Sequence, residues 1–156
     1  MQSRRAAATP RSHAGRRCRR SLARARIDLV RDQHEEAGVV FVLGDPLLLQ
    51  QAFLNVLINA EHAIAARGDA GSIVISTKTR DGWVITTIRD SGGGIAEHVL
   101  PRLFDPFFTT KPVGQGTGLG LAITYGIVQE HGGTIYAAND GGGAVFTIEL
   151  PAAETT

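Results

Sequence analysis

Residues 114–120, GQGTGLG, place four glycines in seven positions directly ahead of an apolar helical stretch. A glycine-rich loop lets bare backbone amides approach an anion, and the helix N-terminus that follows adds partial positive charge. This segment could bind phosphate, or it could be a flexible hinge. The loop is not a Walker A motif, because no Gly-Lys-Ser/Thr closes it, and no βαβ unit surrounds it as a dinucleotide fingerprint requires.

Two amide side chains, Asn55 and Asn59, are four residues apart on the stretch DPLLLQQAFLNVLINAEHAIAAR. On a helix they are neighbours, and they share a narrow polar stripe with Gln51 and His62. An amide oxygen is a suitable ligand for Mg²⁺, which keeps waters and bridges to substrate phosphates. Capping or core hydrogen bonds are the alternative use of such amides.

Asp90 stands at the end of a predicted strand, before the glycines of DSGGGI. A fixed carboxylate at that point can accept a hydrogen bond from an exocyclic amine, and the glycines leave room for a flat ring. A plain Asp/Gly turn is the alternative. Farther along, Lys111 follows the aromatic segment FDPFF as a lone cation, able to contact phosphate oxygens as a point charge.

Composition limits the class of protein. The 156 residues are 43% hydrophobic, which suits one domain with a core, and no apolar run approaches the roughly 20 residues that span a bilayer. The single cysteine excludes an internal disulfide and fits a reducing compartment, so we expect a cytoplasmic protein. Residues 1–26 hold nine arginines and no acid, whereas residues 27–156 carry seven basic and 15 acidic groups. The basic segment could be a nucleic-acid or membrane-surface tail or a transit-like leader. We interpret it as a disordered or truncated extension and expect no specific nucleic-acid partner.

The order of elements predicts an α+β fold, a two-layer sandwich with helices on one face of a mixed, mostly antiparallel sheet. The stretch from Asp45, a predicted N-cap, to Arg67 should be a largely buried helix, because Leu54 and Ile58 make its far side apolar too. Strands over 72–79, where Ile73 alternates with Val74, and over 83–90 should form a hairpin through an Asp81-Gly82 turn. The other predicted elements are a helix over 29–38, a buried strand over 39–44, a short helix near 96–104, a helix ending near His131, and strands over 134–139 and 144–150.

Four segments together are more specific than any one of them. NVLINA, DSGGGI, FDPFFTTK and GTGLGL, in this order and with these gaps, resemble the N, G1, F and G2 boxes of sensor histidine kinases. The wider relatives are the nucleotide-binding domains of gyrase, the heat-shock chaperone and the mismatch-repair ATPases. The resemblance covers residues 45–151 and implies a Bergerat-type fold that binds ATP with Mg²⁺.

The resemblance also implies roles for individual residues. The residue matching Asn59 ligates Mg²⁺, and the one matching Asp90 recognises the adenine amine, with Gly92 and Gly94 giving the ring space. Lys111 would contact the phosphates from a mobile lid, and Thr147 would support adenine recognition. The phosphate side would be formed by residues of the glycine segment: Gly116, Thr117, Gly118, Leu119 and Gly120.

The residue at position 55 indicates whether the domain hydrolyses ATP or transfers its phosphate. In the ATP-hydrolysing relatives, a glutamate one helical turn before the magnesium asparagine activates water. Asn55 is a poor base, because an amide does not accept a proton near neutral pH. Catalysis would then rest on positioning and charge, with Asn55 and Lys111 as the catalytic candidates, and phosphate would be kept for an external acceptor. This favours a kinase over an ATPase.

A phosphate-accepting histidine is the missing part of the resemblance. Only 44 residues precede Asp45, fewer than a helical hairpin and a first strand need, and neither His34 nor His13 fits a phosphoacceptor box. We therefore expect a catalytic domain over 27–151, with a tail at 152–156, that acts on a histidine-bearing dimerisation hairpin in trans or upstream, and through it on a response regulator. A serine kinase of anti-sigma type, a regulatory ATP-binding module and a hydrolysing ATPase remain as alternatives.

Overall fold

Two helices cover one face of a five-stranded sheet in the computed structural model, which describes residues 26–32, 41–68, 70–114 and 116–153. The strands are β1 (Arg26–Asp32), β2 (Ala70–Arg80), β3 (Trp83–Asp90), β4 (Thr134–Asp140) and β5 (Gly143–Pro151). The helices are α1 (Pro46–Arg67) and α2 (Gly120–Glu130), with one 3-10 turn at Leu100–Arg102. The predicted two-layer α+β sandwich is confirmed.

The sheet is mixed, with strand order β1-β2-β3-β5-β4. β1 runs parallel to β2, and all other neighbours are antiparallel. The β2–β3 hairpin turns through Asp81-Gly82, where both residues have positive φ, as the sequence predicted. The β4–β5 hairpin turns through Gly141-Gly142. Because β3 and β5 are antiparallel neighbours, the end of β3 lies beside the start of β5.

Helix α1 begins as the sequence predicted. The Oδ1 atom of Asp45 accepts hydrogen bonds from the amides of Leu47 (2.8 Å) and Leu48 (3.3 Å), and Pro46 is the first helical residue. Its buried residues recur every fourth position and pack on the sheet: Ala52, Val56, Ala60 and Ile64. The expectation that the helix is largely buried was wrong, because Leu54 is 50% and Ile58 39% exposed. Within the described residues, α1 packs by one face only.

The core lies between the helices and the sheet. Residues of β2 alternate as predicted, with Ile73 buried towards the helices and Val74 on the other face. The cluster includes, from the helices, Val56, Ala60, Ile64 and Val128, and from the sheet, Ile73, Ile88, Ile135, Ala144, Phe146, Ile148 and Leu150. Each fully buried branched side chain stabilises the fold by about 1.5–3 kcal/mol.

The two helices are joined at both ends of their contact. The Nδ2 atom of Asn55 donates to the carbonyl of Gly120 (3.0 Å) and to Oγ1 of Thr124 (3.2 Å). At the other end, Nε2 of His131 accepts from the amide of Asp45 (3.0 Å), while Nδ1 lies 2.7 Å from the carbonyl of Ile127. The ring therefore donates from Nδ1, and the start of α1 is fixed to the end of α2.

The N-terminal predictions were wrong where the structure describes the chain. Residues of the predicted helix 29–38 belong to β1 as far as Asp32, because this segment pairs with β2. In place of the predicted buried strand 39–44, Val42 makes one bridge to Ala152, and Phe41 and Leu43 are 60% and 81% exposed. Residues 1–25 and 33–40, with His13 and His34, lie outside the described residues, as do 154–156. No described helix is long and apolar enough to cross a bilayer.

Candidate functional site

A cleft opens between α1, the loop after β3 and the segment before α2. It consists of a larger cavity of about 950 Å³ and a smaller one of about 360 Å³, which share a wall. The residues common to both cavities are Asn59, His62, Val99, Leu103, Thr110, Lys111 and Leu121. These sizes are typical of small-molecule sites.

Asp90 borders the larger cavity from the end of β3 and is 4% exposed. Its Oδ1 atom accepts hydrogen bonds from the amides of Gly92 (2.8 Å) and Ala144 (3.4 Å), which fix the carboxylate. Within the described residues Oδ2 makes no hydrogen bond, and it is not sealed off from the cavity. The carboxylate can therefore accept a further hydrogen bond from a ligand amine.

The glycines after Asp90 have different roles. Gly92 is buried behind the cavity wall, where a Cβ would lie 2.8 Å from the Cβ of Ala63, so this glycine lets the loop pack against α1. Gly93 and Gly94 border the larger cavity, and Gly94 has φ +77°. The space for a flat ring thus lies at Gly93 and Gly94, and sequence reasoning missed Gly93.

Two side chains outside the predicted set hold this loop. Arg67, at the end of α1, donates from Nη1 to the carbonyl of Gly92 (3.1 Å). Asn139, at the end of β4, bonds to the backbone of Ile95. Neither contact could be read from local sequence, because each joins segments far apart along the chain.

The asparagines of α1 occupy different places. Asn59 borders both cavities, whereas Asn55 borders only the smaller one. Both hydrogen bonds that Asn55 donates go to α2, so this side chain links the two helices. Only its Oδ1 atom remains available to a ligand. The described residues contain no cluster of three histidine, cysteine or carboxylate groups for a metal. A cation at Asn59 would therefore take its other oxygens from substrate and water.

Lys111 and His62 meet where the two cavities join. Lys111 Nζ lies 2.6 Å from His62 Nδ1, and both side chains border both cavities. His62 is one turn after Asn59 on the polar stripe of α1. A cation, an imidazole and an amide therefore converge at one point of the cleft, which suits an anionic ligand group.

The glycine segment forms the wall of the smaller cavity with Gly116, Thr117, Gly118 and Gly120. Gly118 has φ +66°, and a Cβ there would lie 2.5 Å from the carbonyl carbon of Phe107, so the backbone requires glycine. Leu119, the N-cap of α2, gives no side-chain cap, and the first-turn amides can meet an anion. Leu119 itself is not at the cavity wall. Thr117 Oγ1 accepts from the Leu119 amide (3.3 Å).

Thr147 is buried, but the fold does not bring it to the cleft. Its neighbours Phe146 and Ile148 point towards the helices, so Thr147 points to the opposite face of the sheet. It pairs there with Thr87 on β3 and Tyr136 on β4. The expected role of this hydroxyl in adenine recognition is therefore contradicted by its position.

Comparison with known proteins identifies the family. Residues 44–154 match the family described as histidine kinase-, DNA gyrase B-, and HSP90-like ATPase. The chain belongs to this ATPase family. The predicted resemblance is thereby confirmed.

The individual proteins to which it is similar include sensor histidine kinases. The chain is 46% identical over 112 residues to the sensor histidine kinase ZraS of Salmonella typhi, covering 70% of this chain and 23% of ZraS. It therefore spans about a quarter of that relative. The fold is similar to that of the mycobacterial sensor histidine kinase MprB (TM-score 0.69, 30% identity, 83% of this chain and 84% of that one). It is also similar to histidine kinase ThkA in complex with response regulator protein TrrA (TM-score 0.64, 32% identity, 80% and 34%).

Proposed function

We propose that this chain is the ATP-binding catalytic domain of a two-component sensor histidine kinase. The observation that carries the proposal is one cleft bordered by a pinned carboxylate, Asp90, an amide, Asn59, and a cation, Lys111. These three groups match an amine-bearing base, a divalent cation and a chain of phosphates. Asp90 borders only the larger cavity, whereas Asn59 and Lys111 border both, so the base and the phosphates would have separate places.

Each end of the nucleotide has a chemically suitable partner. The adenine amine donates to Asp90, beside the open wall at Gly93 and Gly94. The phosphates meet Lys111 and the uncapped amides at the start of α2. Asn59 would hold Mg²⁺, which would supply positive charge to neutralise the phosphate oxygens.

The reaction moves the γ-phosphoryl group to an imidazole nitrogen. The bond from phosphorus to the oxygen shared with the β-phosphate breaks, a phosphorus–nitrogen bond forms, and the imidazole loses its proton to solvent. Asn55 offers no base to activate water, and both its donors are engaged with α2. Hydrolysis is therefore slow, and the chain contributes positioning and charge stabilisation.

The partners follow from this reaction. The acceptor is a histidine on a dimerisation hairpin, in trans or upstream, and the next acceptor is an aspartate on a response regulator. Support for the second partner comes from the similarity to ThkA, whose structure was solved with its regulator. Because the first step uses ATP and the second a response regulator, and both are found in the cytoplasm, we place the domain there.

The test is an assay with γ-labelled ATP and Mg²⁺, with and without a separately expressed histidine-bearing hairpin. Acid-labile label on the hairpin, with little free phosphate, is expected. Acid-stable label would indicate a serine kinase, and rapid phosphate release without an acceptor would indicate an ATPase. Nucleotide binding without any labelled protein would indicate a regulatory module.

Two variants test the site itself. Asn59→Ala should abolish Mg²⁺-dependent ATP binding, and Asp90→Asn should weaken the preference for adenine over guanine nucleotides, because an amide can also donate. Calorimetric titration with ATP and GTP measures both. Unchanged nucleotide affinity in both variants would contradict the site assignment.

A further inference from the structure

Asn139, at the end of β4, makes two hydrogen bonds to the backbone of one residue, Ile95. Its Oδ1 atom accepts from the Ile95 amide (2.7 Å), and its Nδ2 atom donates to the Ile95 carbonyl (2.6 Å). One side chain thus satisfies both polar groups of a loop residue, as a neighbouring strand would. The two residues are 44 positions apart along the chain.

Ile95 is where the glycine loop leaves the cleft. Gly93, Gly94 and Ile95 all border the larger cavity, whereas Asn139 does not. A Cβ at Gly94 would lie 3.0 Å from Oδ1 of Asn139, so the carboxamide packs directly behind this wall. Asn139 therefore supports the loop from the side that faces away from the cavity.

The entry to the same loop is held by other groups. Gly92 donates to Asp90 Oδ1 and accepts from Arg67, and the amide of Ser91 donates to the carbonyl of Ser72 (3.0 Å). Between these contacts and Ile95 lie two glycines, whose backbones are the most permissive. A Cβ at Gly93 would contact nothing within 4 Å, so packing does not restrain that residue. The conformation of Gly93 and Gly94 therefore depends on the contacts that hold Gly92 before them and Ile95 after them.

We infer that Asn139 is a positioning residue for the half of the cleft that binds the nucleoside. By fixing Ile95, it holds Gly93 and Gly94 in the conformation that receives the base, and it sets the affinity for the nucleoside without touching it. The inference rests on the proposed function, since it assigns the larger cavity to the base. The phosphate end, at Lys111 and α2, does not depend on this contact.

The test compares nucleotide binding in the full chain and in two variants, Asn139→Ala and Asn139→Asp. The first loses both hydrogen bonds, and the second is isosteric but sets a carboxylate oxygen against the Ile95 carbonyl. We expect Kd for ATP and for ADP to rise about tenfold in both. Kd for inorganic triphosphate with Mg²⁺ should stay within about twofold. In the labelling assay, KM for ATP should rise while kcat stays the same.

Asp140→Asn is the matched control. It removes the neighbouring ion pair of Asp140 with Arg89 (2.6 Å) from the same hairpin end but leaves the bonds to Ile95. Its nucleotide affinity should be unchanged, and urea unfolding reports the stability of every variant. If Asn139→Ala does not fold, the isosteric Asn139→Asp supplies the same comparison.

The outcomes separate the two proposals. A wild-type chain that binds no ATP would overturn the proposed function and this inference with it. Wild-type binding with unchanged ATP and ADP affinity in the Asn139 variants would overturn this inference alone. Equal weakening of triphosphate binding, or equal weakening by Asp140→Asn, would also overturn it, because the effect would then be a general loosening of the hairpin.

Discussion

Lys111 Nζ and His62 Nδ1 lie 2.6 Å apart, joining the segment before α2 to helix α1 across the cleft. The lysine ammonium has three donors and no acceptor, so it donates and His62 accepts. A phosphate that Lys111 contacts can use the two donors that are left or displace the imidazole from the third. A ligand phosphate and His62 would therefore share Lys111 as a partner.

Lys111→Met should weaken ATP binding more than ADP binding. Methionine keeps most of the side-chain length but removes the charge, and a hydrogen bond to a charged group contributes about 1.5–3 kcal/mol. The expected change is a rise of about tenfold in Kd for ATP and a smaller rise for ADP, measured by calorimetric titration. Equal changes for both nucleotides would show that Lys111 does not contact the terminal phosphate.

His62→Leu should increase ATP affinity modestly. The variant frees the donor of the Lys111 ammonium that His62 engages, so a phosphate no longer competes with the imidazole for it. We expect a few-fold change, less than a full hydrogen bond to a charged group of about 1.5–3 kcal/mol would give. Titration of both proteins with ATP tests this. A loss of affinity would instead mean that the imidazole contacts the phosphates directly.

Asn55→Asp should destabilise the fold. The carboxylate cannot donate to the carbonyl of Gly120 or to Thr124, and it would lie against the Gly120 carbonyl oxygen. Replacing two hydrogen bonds by the repulsion between a carboxylate and a carbonyl oxygen should cost about 1–3 kcal/mol, measured by urea unfolding. The Gly120 carbonyl still accepts from Oγ1 of Thr124. Asn59→Asp is the matched control, because Asn59 makes no side-chain hydrogen bond within the described residues. Equal losses of stability in both variants would contradict the role of Asn55 in linking the two helices.

Gly118→Ala and Gly120→Ala should differ sharply in stability. Position 118 has positive φ and no room beside the Phe107 backbone, so alanine should cost about 1–3 kcal/mol. At Gly120, a Cβ would come no closer than 3.8 Å to Asn55, and alanine is the better helix former. Unfolding curves for the pair measure the difference. Similar stabilities would contradict the described turn at Gly118.

Stability should fall in strong alkali through Tyr136. Burial, followed by the hydrogen bond and charge of Glu149, raises the pKa of Tyr136 above its ordinary value of 10.0. Because the folded state favours the neutral phenol, this contribution is present below pH 10 and is lost as pH rises above it. Tyr136→Phe should lose less stability than wild type between pH 9 and pH 11 in urea unfolding. Parallel curves would exclude this role.

Local signals in the sequence predicted much of the fold. The Asp45-Pro46 start, the Asp81-Gly82 turn and the alternation of Ile73 with Val74 each depend on residues close in sequence. The N-terminal strand could not be predicted in this way, because its partner is β2, with Arg26 opposite Ala70. The exposure of Leu54 and Ile58 likewise depends on what packs against α1, which periodicity does not reveal.

The residues of the candidate site that belong to sequence motifs could be predicted. Asp90, Asn59, Lys111 and the glycine segment border the cleft as the boxes implied. The face of Thr147 could have been found by counting alternate residues from Phe146 along the strand. The contacts of His62, Arg67 and Asn139 could not be found, because each depends on how distant segments of the chain pack together.

The double attachment of α1 to α2 affects the entropy change of ligand binding. Asn55 and His131 hold the two helices in one arrangement before any ligand arrives. The segment carrying Lys111 is held to α1 by a single side-chain hydrogen bond among the described residues. Most of the conformational freedom lost on binding therefore comes from that one segment. Substitutions there can change how long a nucleotide stays bound while leaving the resistance of the domain to unfolding intact.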